Sequence, residues 1–180
     1  MSSVRHDRES VSALALDLLD RVGLPDLSMR RLAAELDVQP SALYWHFGSK
    51  QELLAAVSDR ILAGVPERGP EADLPTVASG IRDALLAYRD GAEVVMSTHA
   101  LGLGDARAPG ALRAVLGDDA AADALFAFIL GHTMLVQQRM HAQSVGAAES
   151  PDHDPSPDAD RVFHAAVRAF AAISPAVRSR

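Results

Sequence analysis

The sequence predicts an all-α fold, with three short helices at the N-terminus, a connecting helix, and a larger helical region behind them. Three observations carry that reading. Alanine, the strongest helix former, occupies 33 of the 180 positions, while aromatic residues make up only 4%. Apolar residues recur at spacings of three and four instead of alternating. Glycine, proline and capping residues fall between those stripes, where helices begin and end.

The first helix is marked by Val11, Leu14, Ala15, Leu18, Leu19 and Val22, one apolar stripe that Gly23 terminates. Ser28 is an N-cap for a second helix over 29–36, with Leu32, Ala33 and Leu36 inward. A tight turn over 37–39 leads to Pro40, in the first turn of a third helix over 40–47 that Gly48 stops. Ser49-Lys50-Gln51-Glu52 has the pattern of a capping box for a helix over 50–62, with Leu53, Leu54, Val57 and Ile61 on one face. Composition then shifts over 64–75, where Gly64, Pro66, Gly69, Pro70 and Pro75 place a domain boundary.

Beyond it a helix is predicted over 76–89, with Val77, Ile81, Leu85 and Tyr88 inward, and another over 92–101 after the break at Gly91. A Gly-rich stretch over 102–110 precedes a short helix near 111–116. The longest helix is predicted over 120–143, and its segment 124–136 is apolar almost all round. Such a helix must be covered on both sides, in a chain this size most simply by a second subunit. Residues 145–160 combine acidic residues with Pro151, Pro155 and Pro157 and read as a flexible acidic loop. A last helix over 160–173 carries Phe163, Ala166, Val167 and Phe170 on one side and Ala165, Ala169 and Ala172 on another.

With 48% hydrophobic and 23% charged residues the chain buries a core and is too apolar for a disordered protein. The absence of cysteine excludes disulfide scaffolds, thiolate metal sites and cysteine nucleophiles. No uninterrupted apolar run approaches the roughly 18 residues of a membrane span, and no leader pattern follows the polar residues 1–9, so the expectation is a soluble cytoplasmic protein without membrane contact. The net charge of −7 is uneven, with six basic against seven acidic residues in 1–50 and eleven against seventeen in 51–180. Phosphate contacts act over about a Debye length, so the acidity of the second part does not bar the first from a nucleic acid.

The segment Leu43-Tyr44-Trp45-His46-Phe47 is the most informative. Leu43 and Phe47 share a helix face and form the buried pair of so short an element, so Tyr44, Trp45 and His46 cannot all follow them inward. Trp45 is the only tryptophan and Lys50 the only lysine; Arg30, Arg31, Arg5 and Arg8 complete a basic surround. A helix–turn–helix reading puts the third helix in a DNA major groove with these side chains toward phosphates and base edges. An enzyme is the first competitor, but no metal-ligand pair at helical spacing, phosphate loop or nucleophile elbow occurs, and neither a catalytic residue nor a cofactor is expected. The second is a helical protein-interaction module gripping a groove, which would lack the steep salt dependence of phosphate contacts.

Residues 28–38, the run Ser41-Ala42-Leu43-Tyr44-Trp45-His46-Phe47 and then Lys50-Gln51-Glu52-Leu53-Leu54 resemble the tetracycline-repressor (TetR) family, with Leu43-Tyr44-Trp45-His46 matching its tetracycline-binding members. Leu85-Leu86, Arg89-Asp90-Gly91-Ala92 and Gly131-His132 extend the likeness. The resemblance implies a homodimeric regulator, most simply a repressor, with a helix–turn–helix DNA-binding head over 1–50, a connecting helix over 50–62, and a ligand-binding and dimerisation domain over 63–180. Its partners would be a double-stranded operator with an inverted repeat and a small-molecule effector that releases it. Arg30 falls on a base-contacting position, Tyr44, Trp45 and His46 on phosphate-contacting or packing positions, and Lys50 on a phosphate-contacting one. Where the family reads bases, this chain has Pro40, Ser41 and Ala42, so its operator should differ; Ala42 offers a methyl suited to thymine.

Tetracycline-binding members hold a magnesium-chelated drug through two histidines, an asparagine and a glutamate. Three of those positions fall here on Val77, Val95 and Met140, and the fourth near Pro66, none of which ligates a hard cation. The expected effector is therefore largely apolar and metal-independent, held by residues such as Val77, Ile81, Val95, Met96, Leu101 and Met134, with His99 and Gln138 orienting it.

Overall fold

The computed structural model describes residues 7–65, 72–104, 106–146 and 155–173. Among them are nine helices and no strand: α1 (Arg8–Val22), α2 (Met29–Glu35), α3 (Pro40–Tyr44), α4 (Lys50–Ala63), α5 (Leu74–Leu86), α6 (Gly91–Ala100), α7 (Arg107–Leu116), α8 (Asp119–Ser144) and α9 (Pro155–Ile173). Capping explains most starts. Asp7 and Ser10 form a reciprocal capping box on α1, and the Ser10 backbone N–H holds the Asp7 carboxyl below its ordinary range. Ser28, Asp73 and Asp118 accept from the backbone N–H three residues on. Ser49 caps α4 in the same way, but Glu52 reaches the N–H of Gly48, so the expected reciprocal box is replaced by a bond that pins the α3–α4 turn.

Four boundaries depart from the sequence reading. Helix α3 stops at Tyr44 instead of residue 47, because the N–H groups of His46 and Phe47 both turn back onto the carbonyl of Leu43. Helix α5 spans Leu74–Leu86, so Tyr88 sits half-buried in the turn that follows. Helix α7 begins at Arg107, shortening the Gly-rich connection. Residues 155–160 are the first turns of α9 and not part of a loop; the remainder of the expected acidic loop, residues 147–154, lies outside the described residues, as do Arg5 and Pro66.

One continuous core runs through the chain. Helix α4 packs against α1 on one side and α5 and α6 on the other, and α8 against α5, α6, α7 and α9. Val11, Leu18, Leu19, Leu32, Leu43, Phe47 and Leu53 fill the N-terminal part, and Ile81, Leu85, Val94, Leu112, Leu125 and Ile129 the rest. By length and a mean hydropathy of 1.4, α8 would also suffice to cross a membrane, but it is the central helix of this packing. Only 33% of its most apolar stretch is buried within the chain, and Leu135 on α8 and Val162 on α9 remain exposed.

Candidate nucleic-acid interface

The short helix α3 is anchored on one side only. Leu43 and Phe47 are 1% and 0% exposed, whereas Tyr44 is 52% and Trp45 90% exposed. An indole left almost wholly in water is uncommon for a residue that normally gains from burial, and marks a contact surface. Arg30 and Ser41 are exposed, and Ala42, His46 and Lys50 half-buried, so the structure displays the sequence-predicted residues on or beside α2 and α3. An ion pair of 3.3 Å between Arg21 and Glu35 ties α1 to α2.

Arg8 departs from the basic surround assigned to it. Its Nη1 donates to the carbonyl of His46 at 2.6 Å, and its guanidinium lies 4.4 Å from the centre of the Phe47 ring. It satisfies a carbonyl freed at the end of α3 and holds the displayed aromatics in place from α1. Arg60 of α4 likewise donates to the Ser12 hydroxyl and the Glu9 carbonyl, fixing the start of α1.

A second constellation joins α1 to the bundle behind it. Asp20 accepts from the Arg89 N–H at 2.9 Å, and Asp90 accepts from the Leu24 N–H at 2.8 Å. Asp90 is left-handed (φ 55°), a conformation Asp tolerates better than most residues, and a Cβ on the next residue, Gly91, would come within 2.5 Å of the Leu85 carbonyl. From the other side Gln137 of α8 donates to the carbonyls of Leu85 and Tyr88 and accepts from the Ala92 N–H. Sequence reasoning missed Gln137. The signal was the stripe Phe126, Ile129, Leu130, Thr133, Gln137, which turns Gln137 inward and Gln138 to solvent.

The eight residues expected to bind an effector stand in different surroundings. Val77, Ile81 and Val95 are core residues, Met96 and Met134 are half-buried, and His99, Leu101 and Gln138 are exposed. The His99 ring stands edge-on to Phe126 at 5.0 Å. None of the eight lines either the cleft of about 580 Å³ between α4 and α5 or that of about 440 Å³ beside the α5–α6 turn. A third cluster pairs Arg82 with Asp160 and stacks it over Phe163, beside His132, whose Nε2 donates to the Ala159 carbonyl at 3.1 Å. Burial, then the Arg82 charge, lowers the His132 pKa.

Residues 13–57 match the family model of bacterial regulatory proteins, tetR family. The class A tetracycline repressor from transposon 1721 of Escherichia coli is 45% identical over 96 residues, covering 49% of this chain and 44% of that protein. The match thus spans less than half the length of that curated relative. A possible TetR family transcriptional regulator from Streptomyces coelicolor A3(2) is 32% identical, with 91% of this chain and 96% of that chain covered and a TM-score of 0.73. BioQ from Mycobacterium smegmatis is 35% identical over 93% of this chain and 99% of that one, with a TM-score of 0.77. A structure of BioQ with its natural double-stranded DNA operator is 33% identical, covering 92% and 99%, with a TM-score of 0.71. Fold and displayed helix define a helix–turn–helix protein with an all-helical body. The chain belongs to the TetR family of bacterial regulatory proteins.

Proposed function

We propose that the protein is a dimeric, operator-binding transcriptional repressor and not an enzyme. The observation that carries this reading is Trp45, 90% exposed beside Tyr44 at the end of a helix whose opposite side is fixed in the core. Residues 1–50 form the DNA-binding head, 50–62 the connecting helix, and 63–180 the regulatory and dimerisation domain. Arg30 reads a base, Ser41 and Ala42 meet the groove floor, Tyr44, Trp45 and His46 contact phosphate and sugar, and Lys50 neutralises a phosphate. The BioQ–operator complex, which shares the fold, supports that docking.

Dimerisation uses the faces of α8 and α9 left uncovered by the chain itself. Leu135 and Val162 are 56% and 50% exposed there, and beyond α8's own backbone none of the described residues comes within 4 Å of a Cβ placed on Gly131. Leu130, within the apolar segment 124–136, is 2% exposed within its own chain and belongs to the core. The effector is a largely apolar, metal-independent molecule: Val77 and Val95 stand in hydrocarbon surroundings where tetracycline-binding relatives need polar ligands.

Selection of bound DNA from a random pool tests the proposal. The expected product is an inverted repeat with half-site centres about 34–36 Å, or a multiple, apart. Arg30→Ala should cost about 1–3 kcal/mol of binding and relax one base pair per half-site. Selected DNA without an inverted repeat refutes the reading.

A further inference from the structure

The cleft of about 580 Å³ between α4 and α5 runs along the outer side of α5, from Thr76 and Ser79 in its first half to Asp83 in its last turn and Tyr88 just beyond. Its volume lies within the roughly 300–1,000 Å³ of small-molecule sites, and Thr76 and Asp83 stand about 10 Å apart along the helix. Ile61 of α4 and Ala84 of α5 are buried and give it an apolar floor. Val77 and Ile81 turn from the opposite side of α5 into the core, so this cleft is separate from the positions assigned above to an effector.

Charge decides what the cleft accepts. Among the described residues that line it, Asp83 is the only charged one, and its exposed carboxylate accepts no hydrogen bond and enters no ion pair within the described chain. The neighbouring basic residues are engaged elsewhere. Arg82 pairs with Asp160 over the Phe163 ring, and Arg60 donates to the Ser12 hydroxyl and the Glu9 carbonyl. Arg89 lies against Gly23 beside the Asp90 carboxylate. Asp83 also stands in the last turn of α5, where the negative end of the helix dipole adds to its own charge. Tyr88, half-buried in the same lining, supplies an aromatic ring of the kind that attracts cations, and the hydroxyls of Thr76 and Ser79 are acceptors as well as donors.

We propose that this cleft is a binding site for an organic cation, with a flat apolar body lying on Ile61 and Ala84 and the positive group held by Asp83 and Tyr88. An unpartnered carboxylate, an aromatic ring and an apolar floor in one groove are complementary to that class of molecule, and the same carboxylate repels an anion of equal shape. An exposed ion pair contributes little by itself, so burial of the body supplies most of the affinity and Asp83 supplies the choice of charge. The site depends neither on operator binding nor on dimerisation.

The probe is thioflavin T, a flat benzothiazolium cation whose fluorescence rises when it is held rigid, titrated into the full chain at low salt without DNA. The expected result is saturable binding of one molecule per chain, displaced by benzyltrimethylammonium but not by benzenesulfonate, which carries the same ring and the opposite charge. Asp83→Asn should weaken binding about fivefold and Tyr88→Leu about threefold. Ser79→Trp, which fills the cleft, should abolish it, while Met140→Ala, in the 440 Å³ cleft beside the α5–α6 turn, should leave it unchanged; circular dichroism confirms that each variant is folded. Absence of saturable binding, equal displacement by benzenesulfonate, or binding unchanged by any of Asp83→Asn, Tyr88→Leu and Ser79→Trp overturns the site. A loss in Met140→Ala as large as that in Ser79→Trp puts the dye in the neighbouring cleft and overturns it too.

Discussion

The end of α3 and the α5–α6 turn are held in opposite ways. Helix α3 has five residues; with the turn that follows it rests on Leu43 and Phe47 and leaves Tyr44 and Trp45 in water. The turn over 87–90 has Ala87 and Arg89 at the surface but is bonded from α1 on one side and α8 on the other. A recognition surface must keep its groups available to a partner, so it is fixed from behind. A coupling element must transmit displacement, so it is fixed on both sides. Arg8 connects the two, since α1 ends at the clamp and begins at the His46 carbonyl.

The sharpest break of that comparison lies within α3 and the turn behind it. Phe47→Ala removes a fully buried ring and should destabilise the fold by about 3–5 kcal/mol, read by denaturant unfolding. Trp45→Ala, two residues earlier, should leave stability within about 0.5 kcal/mol and still weaken operator binding more than tenfold, read by anisotropy. Equal stability losses for the two would mean that Trp45 packs rather than displays.

Gln137→Ala tests the clamp. It strands the Leu85 carbonyl and the Ala92 N–H and leaves the Tyr88 carbonyl only the Gly91 N–H, for a cost of about 2–3 kcal/mol, whereas Gln138→Ala on the solvent side should be near neutral. Hydrogen exchange should then rise at Ala92 before it rises in the core of α8.

Arg8→Ala is expected to cost about 1 kcal/mol of stability and to weaken the operator complex without changing its salt dependence, because the guanidinium holds a protein carbonyl. Lys50→Ala should instead lower the salt slope by about one. A slope that falls for Arg8→Ala would return Arg8 to the phosphates.

The smallest effect concerns pH. His132 has a folded-state pKa lowered from 6.5, so the unfolded chain binds its proton more readily. Its contribution to stability is complete above pH 6.5 and is lost as pH falls from there through the lowered value. Unfolding midpoints at pH 7.5 and 5.5 should differ more for the unmutated chain than for His132→Phe. A histidine-independent difference would assign the acid sensitivity elsewhere.

Much of this architecture was legible along the chain. The stripe of Val11, Leu18 and Leu19, the cap at Ser28 and the buried pair Leu43 and Phe47 follow from periodicity and local hydrogen bonding, which depend on neighbours three or four residues away. Helix ends were less legible where distant groups decide them: the proline-rich start of α9 reads as a loop until Asp160 is paired with Arg82 from α5. The displayed aromatics were readable because α3 is too short to bury more than one face. The inward positions of α8 were less legible, because a helix so evenly apolar marks its inner side only weakly, and a shift of one residue turns a side chain by about 100°.

The sequence by itself determined the helical class, most helix boundaries, and the short aromatic helix with its basic neighbours, since local spacing and capping suffice for all of them. Tertiary structure alone decided that Arg8 serves the end of α3, that Gln137 and not Gln138 holds the α5–α6 turn, and that a cleft opens beside that turn while Val77, Ile81 and Val95 fill the core. Each of these depends on groups tens of residues apart meeting within about 3 Å or failing to fill the space between them, and no local pattern encodes such a meeting.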